Sequence, residues 1–466
     1  MKKLLLLTGL AFAVWHIHAQ PNSNTINQLV NDFLVSSPTP ALVGCAVKGE
    51  EIVWMHAYGM ANAEQGMQAT VDTPFMLASV SKTFTGMALM QLYDDGLFDL
   101  QDPVNEYLTN FQVIHPGHPE VVITFQHLLT HTAAIRDNWD VMPVCDGDCA
   151  QGLGDFLESY LDEGGQVYNA GNNFYGYAPG EQYNYSNIGA ALIGHLVEVL
   201  TGEDFDAYCE SHLFAPLCMD NTHWFLSQFS DVSAVAVPYD TVFGDAEPVD
   251  HYGYPDYPDY PDGQLRSSIR DVANWLLAFV NQGSFNFSQV VSSDTYALAL
   301  SDQYGGDQGL IWYQAFYDGD ECWGHNGGDV GVTTEFFVCP ETQVGVAILT
   351  NGGEYFDELL EPIYQWAKQA EATGSGWPDC AAYVEDFTTT DIYVFPNPAD
   401  DVWMAGVAEE DEAYKVIDLR GNILCRGLWK AGSTRQMDVK SWETGIYFLS
   451  ISGTSLPQVI RFEVVH

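Results

Sequence analysis

Positive charge is what this sequence has least of: 15 Lys and Arg stand against 63 Asp and Glu in 466 residues, for a formal charge of -48. Such a polyanion repels phosphate backbones and anionic headgroups, which excludes nucleic acid and anionic membrane surfaces as partners. The imbalance comes from missing cations rather than from acidic blocks, so solubility accounts for it better than selection for cationic substrates. Past the N-terminal leader no apolar run is long enough to cross a bilayer as a helix, and no transmembrane anchor is expected. Zinc-finger spacing is missing as well. Cys145 and Cys149 flank Asp146-Gly147-Asp148 with no second Cys or His pair at the matching distance, which favours a local disulfide over zinc. His127 and His131 sit four apart without the Glu that metallopeptidases place between them, so packing is their expected role. No metal and no other cofactor is expected.

Met1-Lys2-Lys3, the apolar stretch Leu4 to Val14 and the small residue Ala19 read as a secretory signal peptide over residues 1–19. Export puts the nine cysteines in an oxidising compartment. Cys145 with Cys149 and Cys209 with Cys218 are plausible local disulfides. Cys45, Cys322, Cys339, Cys380 and Cys425 stay unassigned, and the odd total leaves at least one thiol unpaired within the chain.

Basic residues return near the end and mark a boundary. Residues 391–466 hold seven (Lys415, Arg420, Arg426, Lys430, Arg435, Lys440, Arg461), whereas residues 20–390 hold six. Strand-like runs at Tyr414 to Leu419, Ile423 to Leu428, Ile446 to Ile451 and Val459 to Val465 predict a small all-β sandwich over 391–466. Residues 371–390, rich in Gly, Ser, Thr and Asp, are the expected linker from a main domain over 20–370.

A lysine kept in so lysine-poor a main domain needs a reason, and Lys82 has one. Ser79-Val80-Ser81-Lys82 opens a helical pattern (Phe84, Met87, Ala88, Gln91, Leu92) that stops at Asp95-Gly96. Positions i and i+3 share a helix face, so the Lys82 amine can lie beside the Ser79 hydroxyl and take its proton if its pKa is depressed. The helix N-terminus would also favour developing negative charge. Two further stretches carry polar groups on tight backbone. Tyr183-Asn184-Tyr185-Ser186-Asn187 precedes a predicted helix at Ile188 to Leu200 and could aim Tyr185 and Asn187 into a cleft. Tyr185 could serve as a base if the Lys82 charge lowers its pKa. Trp323-Gly324-His325-Asn326-Gly327-Gly328 leads into two predicted strands, Thr334 to Val338 and Val344 to Leu349, and its glycines let another chain approach the backbone closely. Each fragment alone has a plain structural reading.

Taken in order, together with Val43-Gly44-Cys45-Ala46-Val47 and Tyr58-Gly59-Met60-Ala61, Leu128-Leu129-Thr130-His131-Thr132, Pro179-Gly180-Glu181 and Gly263-Gln264-Leu265-Arg266-Ser267-Ser268, these motifs resemble the penicillin-recognising serine hydrolases. That superfamily includes class C β-lactamases, D-alanyl-D-alanine carboxypeptidases and related esterases and D-peptidases. The resemblance implies an α/β fold of the β-lactamase/transpeptidase type: a three-layer arrangement of an antiparallel sheet flanked by helices, plus a helical subdomain over about 100–260. It implies Ser79 as nucleophile, Lys82 as its tuning partner and Tyr185 as base. Asn187 would bind substrate amide or position Lys82, His325 and Gly327 would line the substrate strand, and the N-H groups of Ser79 and Gly328 would form the oxyanion hole.

Where β-lactamases carry Lys-Thr-Gly, this chain has His325-Asn326-Gly327, which removes a fixed cation and favours neutral esters or short, even D-residue, amides. The usual His-Thr-Ser-Gly is His131-Thr132-Ala133-Ala134 here. The runner-up activity is a β-lactamase or D-alanyl-D-alanine carboxypeptidase, and a non-catalytic surface scaffold is the alternative of another class. Val394-Phe395-Pro396-Asn397-Pro398-Ala399, Val416-Ile417-Asp418-Leu419-Arg420-Gly421 and Gly445-Ile446-Tyr447-Phe448-Leu449 resemble the C-terminal sorting domain of type IX secretion, with a plain binding module as the alternative. This implies the type IX machinery as partner and an extracellular or outer-surface location.

Arg136 and Arg266 are expected to pair with buried carboxylates rather than substrate. The threefold repeat Tyr254-Pro255-Asp256-Tyr257-Pro258-Asp259-Tyr260-Pro261-Asp262 is stiff and extended. A solvated surface loop is its expected state, with an aromatic rim of the cleft as the alternative. Convergence of its three carboxylates on Ca²⁺ is disfavoured by that stiffness.

Overall fold

Seven consecutive buried residues, Ala41 to Val47, have no polar alternation, which is the pattern of a strand covered on both faces. They form the strand β1 (Ala41–Lys48), which turns at Gly49 into β2 (Glu51–Asn62). Gly44 is required here by space, because a Cβ would sit 2.7 Å from the Trp54 ring of β2.

The computed structural model describes residues 23–240, 250, 251, 253–286, 288–371 and 376–378, and further on 412–418, 423–429, 442, 445–452 and 458–464. The expected signal peptide, most of the linker and the Val394 to Ala399 motif lie outside the described residues. The chain divides into two units, Met1–Pro378 and Asp379–His466.

In the first unit β1 and β2 join β3 (Met67–Gln68), β4 (Tyr313–Tyr317), β5 (Asp320–Asp329), β6 (Val332–Cys339) and β7 (Val344–Thr350) in one antiparallel sheet, ordered β4-β5-β6-β7-β1-β2-β3. The first three and last four strands therefore meet along the β1–β7 seam. Helices α1 (Asn24–Ser36) and α5 (Asp357–Gln369) bury Ile26, Val30, Phe33, Leu359 and Ile363 on one face, against Leu42, Val346 and Ile348. Between them in sequence, α2 (Ser81–Asp94) and α3 (Asn187–Thr201) pack against each other, and α4 (Ile269–Val280) covers the other face, where Leu276 and Val280 close on Gly345. This is the three-layer arrangement expected.

α2 is buried nearly all round from Ser81 to Leu92, which makes it the central helix. α3 is capped at its start by Ser186, whose Oγ accepts from the Gly189 N-H, and at its end by Gly202 with φ 77°, a conformation that suits glycine.

The second unit holds β8 (Glu412–Asp418), β9 (Ile423–Trp429), β10 (Gly445–Ser452) and β11 (Gln458–Val464) in a four-stranded antiparallel sheet ordered β9-β8-β10-β11. Tyr414 and Val416, two apart on β8, are both buried.

The disulfides agree with expectation at one pair and depart from it at the other. Cys145 and Cys149 are bonded. Cys209 is instead a buried free thiol at the end of the helix Phe205–Cys209, and Cys218, which sits in a left-handed turn, is disulfide-bonded but not to it. Cys322 on β5 and Cys339 on β6 form a bridge the sequence left unassigned.

Candidate active site

Ser79 lies in a 3-10 turn, Ala78–Val80, immediately before α2. The turn enters through Ala78 at φ 48°, a left-handed conformation costing an alanine about 1 kcal/mol, which lifts Ser79 out of the preceding strand. Three contacts fix it. The Thr334 hydroxyl on β6 donates to the Leu77 carbonyl at 2.6 Å, the Leu77 N-H donates to the Leu265 carbonyl at 2.8 Å, and the Leu265 N-H donates to Ser81 Oγ at 3.2 Å.

One turn on, Lys82 is fully buried. Its Nζ donates to Ser79 Oγ at 3.1 Å and to the Asp262 backbone carbonyl at 2.6 Å. Burial works to lower the Lys82 pKa, but the opposing influence of Tyr185, Asp262 and Asp137 outweighs it and leaves it raised. The shift therefore runs opposite to the depression that would let Lys82 take the Ser79 proton.

Tyr185 reaches the same point from the loop before α3. Lys82 Nζ lies 4.8 Å from its ring centroid. Its hydroxyl is buried, near enough to Ser79 and Lys82 to feel both, and completes a well-formed hydrogen bond with neither. Burial raises the Tyr185 pKa; the Lys82 charge pulls it down without cancelling that effect. His131 supports this loop, its ring tilted against Tyr185 at 4.6 Å between centroids and its Nδ1 accepting the Ser186 N-H at 3.3 Å. His127 Nδ1 likewise accepts a backbone N-H, from Thr124.

Asn187 is the first residue of α3 and borders the same cavity as Ser79. Sequence reasoning missed the residue that holds it: the Asp137 carboxylate accepts from the Asn187 N-H at 3.0 Å, the Ile188 N-H at 3.2 Å and Ser186 Oγ at 3.2 Å, satisfying the orphan donors of α3. Nothing in the local sequence links position 137 to 187.

On the other side, β4 pairs with β5 only as far as Gly324, so His325 to Asp329 run past it toward the Ser79 turn. Gly327 is needed there: a Cβ would fall 2.4 Å from the Leu77 carbonyl and 3.1 Å from the Ser79 nitrogen. Gly328 faces open space. His325 is buried, its Nδ1 2.5 Å from the Asn326 carbonyl, and burial followed by the Lys82 charge pushes its pKa down to about 3. The strand therefore offers a neutral imidazole.

The Tyr-Pro-Asp repeat is the largest correction. Instead of a solvated loop, Pro255, Asp256, Pro258, Asp259, Tyr260, Pro261 and Asp262 are all buried. Arg266 pairs with Asp256 at 3.6 Å, as expected of a structural arginine, whereas Arg136 is exposed over the Tyr175 ring. α2 anchors the repeat's end, where Thr85 Oγ1 donates to the Pro261 carbonyl at 2.6 Å beside the Lys82–Asp262 contact. Asp259 and Asp262 border the Ser79 cavity, and burial raises both carboxyl pKa values, that of Asp259 to about 6. Among the described residues no cluster suits a metal ion.

Comparison with known proteins gives the family and the fold. Residues 26–370 match the beta-lactamase family, and residues 393–464 match the secretion system C-terminal sorting domain. Penicillin-binding protein 4 of Amycolatopsis lactamdurans is 25% identical over 368 residues, covering 76% of this chain and 89% of that protein. Penicillin-binding protein 4* of Bacillus subtilis (strain 168) is 26% identical over 216 residues, covering 45% of this chain and 40% of that one. In structure, the octameric penicillin-binding protein homologue from Pyrococcus abyssi superposes with a TM-score of 0.61 at 19% identity, over 95% of this chain and 90% of that chain. The D-amino acid amidase from Ochrobactrum anthropi SV3 gives 0.59 at 21% identity, over 74% and 96%.

Proposed function

Because the chain belongs to the beta-lactamase family of serine hydrolases and carries a sorting domain that makes it a secreted or cell-surface protein, we propose that it hydrolyses neutral esters or small amides through an acyl-enzyme on Ser79. The observation that carries this reading is the fully buried Lys82 side chain, its Nζ 3.1 Å from Ser79 Oγ and 4.8 Å from the Tyr185 ring centroid. A charge buried at such cost in so lysine-poor a domain is retained for what it does to its neighbours.

In the proposed mechanism Tyr185, as phenolate paired with the Lys82 ammonium, takes the Ser79 proton as Oγ attacks the substrate carbonyl. The tetrahedral oxyanion is met by the Ser79 and Gly328 N-H groups. Tyr185 then gives the proton to the leaving oxygen or nitrogen as the bond to carbon breaks, leaving Ser79 acylated. Water attacks the ester, gives its proton to Tyr185, and Ser79 Oγ recovers it as the acid leaves. Lys82 stays protonated throughout and stabilises each Tyr185 anion. Asn187 holds the substrate amide or ester oxygen.

Carboxylate-bearing substrates are disfavoured in this reading. His325 is neutral, and the residues that border the cavity beside Ser79 include Asp329 and no Lys or Arg. Slow turnover of β-lactams and of peptides ending in a free D-alanine follows.

The test is turnover of p-nitrophenyl acetate and butyrate, D-alanine p-nitroanilide and nitrocefin, with intact-mass detection of the acyl adduct. Ser79-dependent ester or D-amide cleavage with slow nitrocefin hydrolysis is expected; fast nitrocefin turnover would make the protein a β-lactamase, and an inert Ser79 in folded protein would make it a scaffold.

A further inference from the structure

The mechanism leaves unexplained a wall of exposed apolar side chains beside the nucleophile. Trp139 and Val144 are 70% and 63% exposed, an unusual state for large hydrophobic residues placed together, and with Met142 and Val330 they border the same cavity as Ser79.

This wall is built rather than loose. At its near end the Asn138 N-H donates to Tyr160 Oη at 2.7 Å, and the Asn138 side chain bonds Asn173. At its far end Cys145 and Asp146 pair as a short antiparallel ladder with Asp256 and Pro255, the Cys145–Cys149 bridge closes the turn, and the Asp148 carboxylate accepts the Leu226 and Ser227 N-H groups. Residues 139–144 are thus held between two anchors, one of which is the buried Tyr-Pro-Asp repeat. On the opposite side Tyr257 Oη donates to Asp329, fixing a carboxylate at the cavity edge.

The cavity measures about 270 Å³. At roughly 30 Å³ per group, the share of a water in the liquid, that is room for about eight or nine carbon-sized groups. Its orientation follows from the proposed mechanism, on which this inference rests. Tyr185 hands its proton to the leaving group and does not border the cavity, so the leaving group lies on the Tyr185 side of Ser79 and the acyl group on the cavity side.

We propose that this cavity is an acyl-chain pocket that selects unbranched acyl groups of about six to eight carbons against Trp139, Met142, Val144 and Val330, and rejects acyl groups carrying a carboxylate. Trp139 is the specificity residue, and Asp329 supplies the rejection.

The experiment uses the full chain and p-nitrophenyl esters of C2, C4, C6 and C8 acids, with the p-nitrophenyl monoester of glutaric acid as the anionic acyl group. A methylene gains about twofold in kcat/KM at half burial, so C8 should exceed C4 by roughly 15-fold. The glutarate should lie about tenfold or more below butyrate, from like-charge repulsion. Trp139→Ala, at an exposed site that does not endanger folding, should reduce the C8/C4 ratio at least threefold, and Val144→Asp should reduce it further. Asp329→Asn should raise the glutarate/butyrate ratio.

A Ser79-dependent enzyme with a flat chain-length series, or one whose ratio is unmoved by Trp139→Ala, overturns the pocket and leaves the hydrolase reading standing. Equal rates on glutarate and butyrate overturn the rejection. Hydrolysis that survives Ser79→Ala, or none on any ester, overturns the hydrolase reading and the pocket with it.

Discussion

Two adjacent glycines with opposite surroundings give the sharpest test of the oxyanion geometry. At Gly327 a Cβ would meet Thr334 Oγ1 at 2.3 Å, the Leu77 carbonyl at 2.4 Å and the Ser79 nitrogen at 3.1 Å, whereas at Gly328 it would meet nothing within 4 Å. Neither residue has a left-handed φ, so the difference is one of space alone. Gly327→Ala must lift β5 off the Ser79 turn by about 1 Å to restore ordinary contact, and it strains the 2.6 Å bond from Thr334 to Leu77. The proposed oxyanion donors stand on either side of that seam, one on the turn and one on the strand, so the hole opens by the same distance. A displacement of this size costs about 10²-fold, and full loss of one donor costs about 10²–10³-fold in kcat. Gly327→Ala should therefore lose about 10²-fold or more in kcat on p-nitrophenyl butyrate, with about 1–3 kcal/mol of stability. Gly328→Ala keeps its N-H and should stay within about tenfold of the parent. Steady-state kinetics and calorimetry on both variants decide the matter. Equal losses at the two positions, or a fully active Gly327→Ala, would refute the placement of the hole.

Tyr185→Phe and Lys82→Met should each lower kcat by about 10²–10⁴-fold while the protein stays folded. Because the pKa values of both Tyr185 and Lys82 are raised, kcat/KM of the parent should climb with pH through the alkaline range, and a maximum below pH 7 would count against a Tyr185 base. His325, with a pKa pushed down to about 3 from an ordinary 6.5, binds its proton in the unfolded chain first. Its contribution is complete above pH 6.5 and is lost as pH falls toward 3, by up to about 5 kcal/mol, so His325→Asn should show a flatter acid limb of stability by chemical denaturation. Asp259 has the opposite sign: its carboxyl, raised to about 6, favours folding below pH 4 and loses that contribution as pH rises through 6, so Asp259→Asn should gain Tm relative to the parent at pH 8 compared with pH 4. Removing the Cys322–Cys339 bridge, 17 residues apart, as the double Ala variant should cost about 3 kcal/mol.

The sheet and the helix frame were legible because their patterns are local. The apolar run at β1, the helical spacing after Ser79 and the strands on either side of residues 340–343 all appear where expected. Ser79 and Lys82 could be paired from spacing, since a helix fixes their distance. The sign of the Lys82 shift could not, because it depends on Tyr185, Asp262 and Asp137, which come from three distant segments. The same holds for Asp137, whose ligands lie fifty residues away. The Cys322–Cys339 bridge did leave a signal: both cysteines are equidistant from the turn at Val330-Gly331, in the register that pairs Trp323 with Val338. The Cys209 and Cys218 expectation failed because nearness in sequence says nothing about which way a thiol points once the helix ends between them.

The buried repeat shows why composition misled where it did. Tyr, Pro and Asp in tripeptide register have the polarity of a surface loop, and stiffness argues against their closing around an ion. Burial becomes affordable because Pro lacks an N-H to satisfy and because three of the polar groups find fixed partners: the Pro255 and Asp262 carbonyls accept from Arg266 and Lys82, and Asp256 faces the Arg266 guanidinium. Two of the six basic residues in the main domain are thus committed to one segment. The scarcity of cations and the burial of the repeat are then one fact seen twice: the positive charge that remains is placed where it fixes the floor of the Ser79 cavity. Exchanging Arg266 for Met, which keeps volume but leaves Asp256 buried without its charge partner, should cost about 3–5 kcal/mol and loosen the ladder to Cys145, raising KM for long-chain esters more than for acetate. A rise in KM equal for both would separate the repeat from the acyl wall.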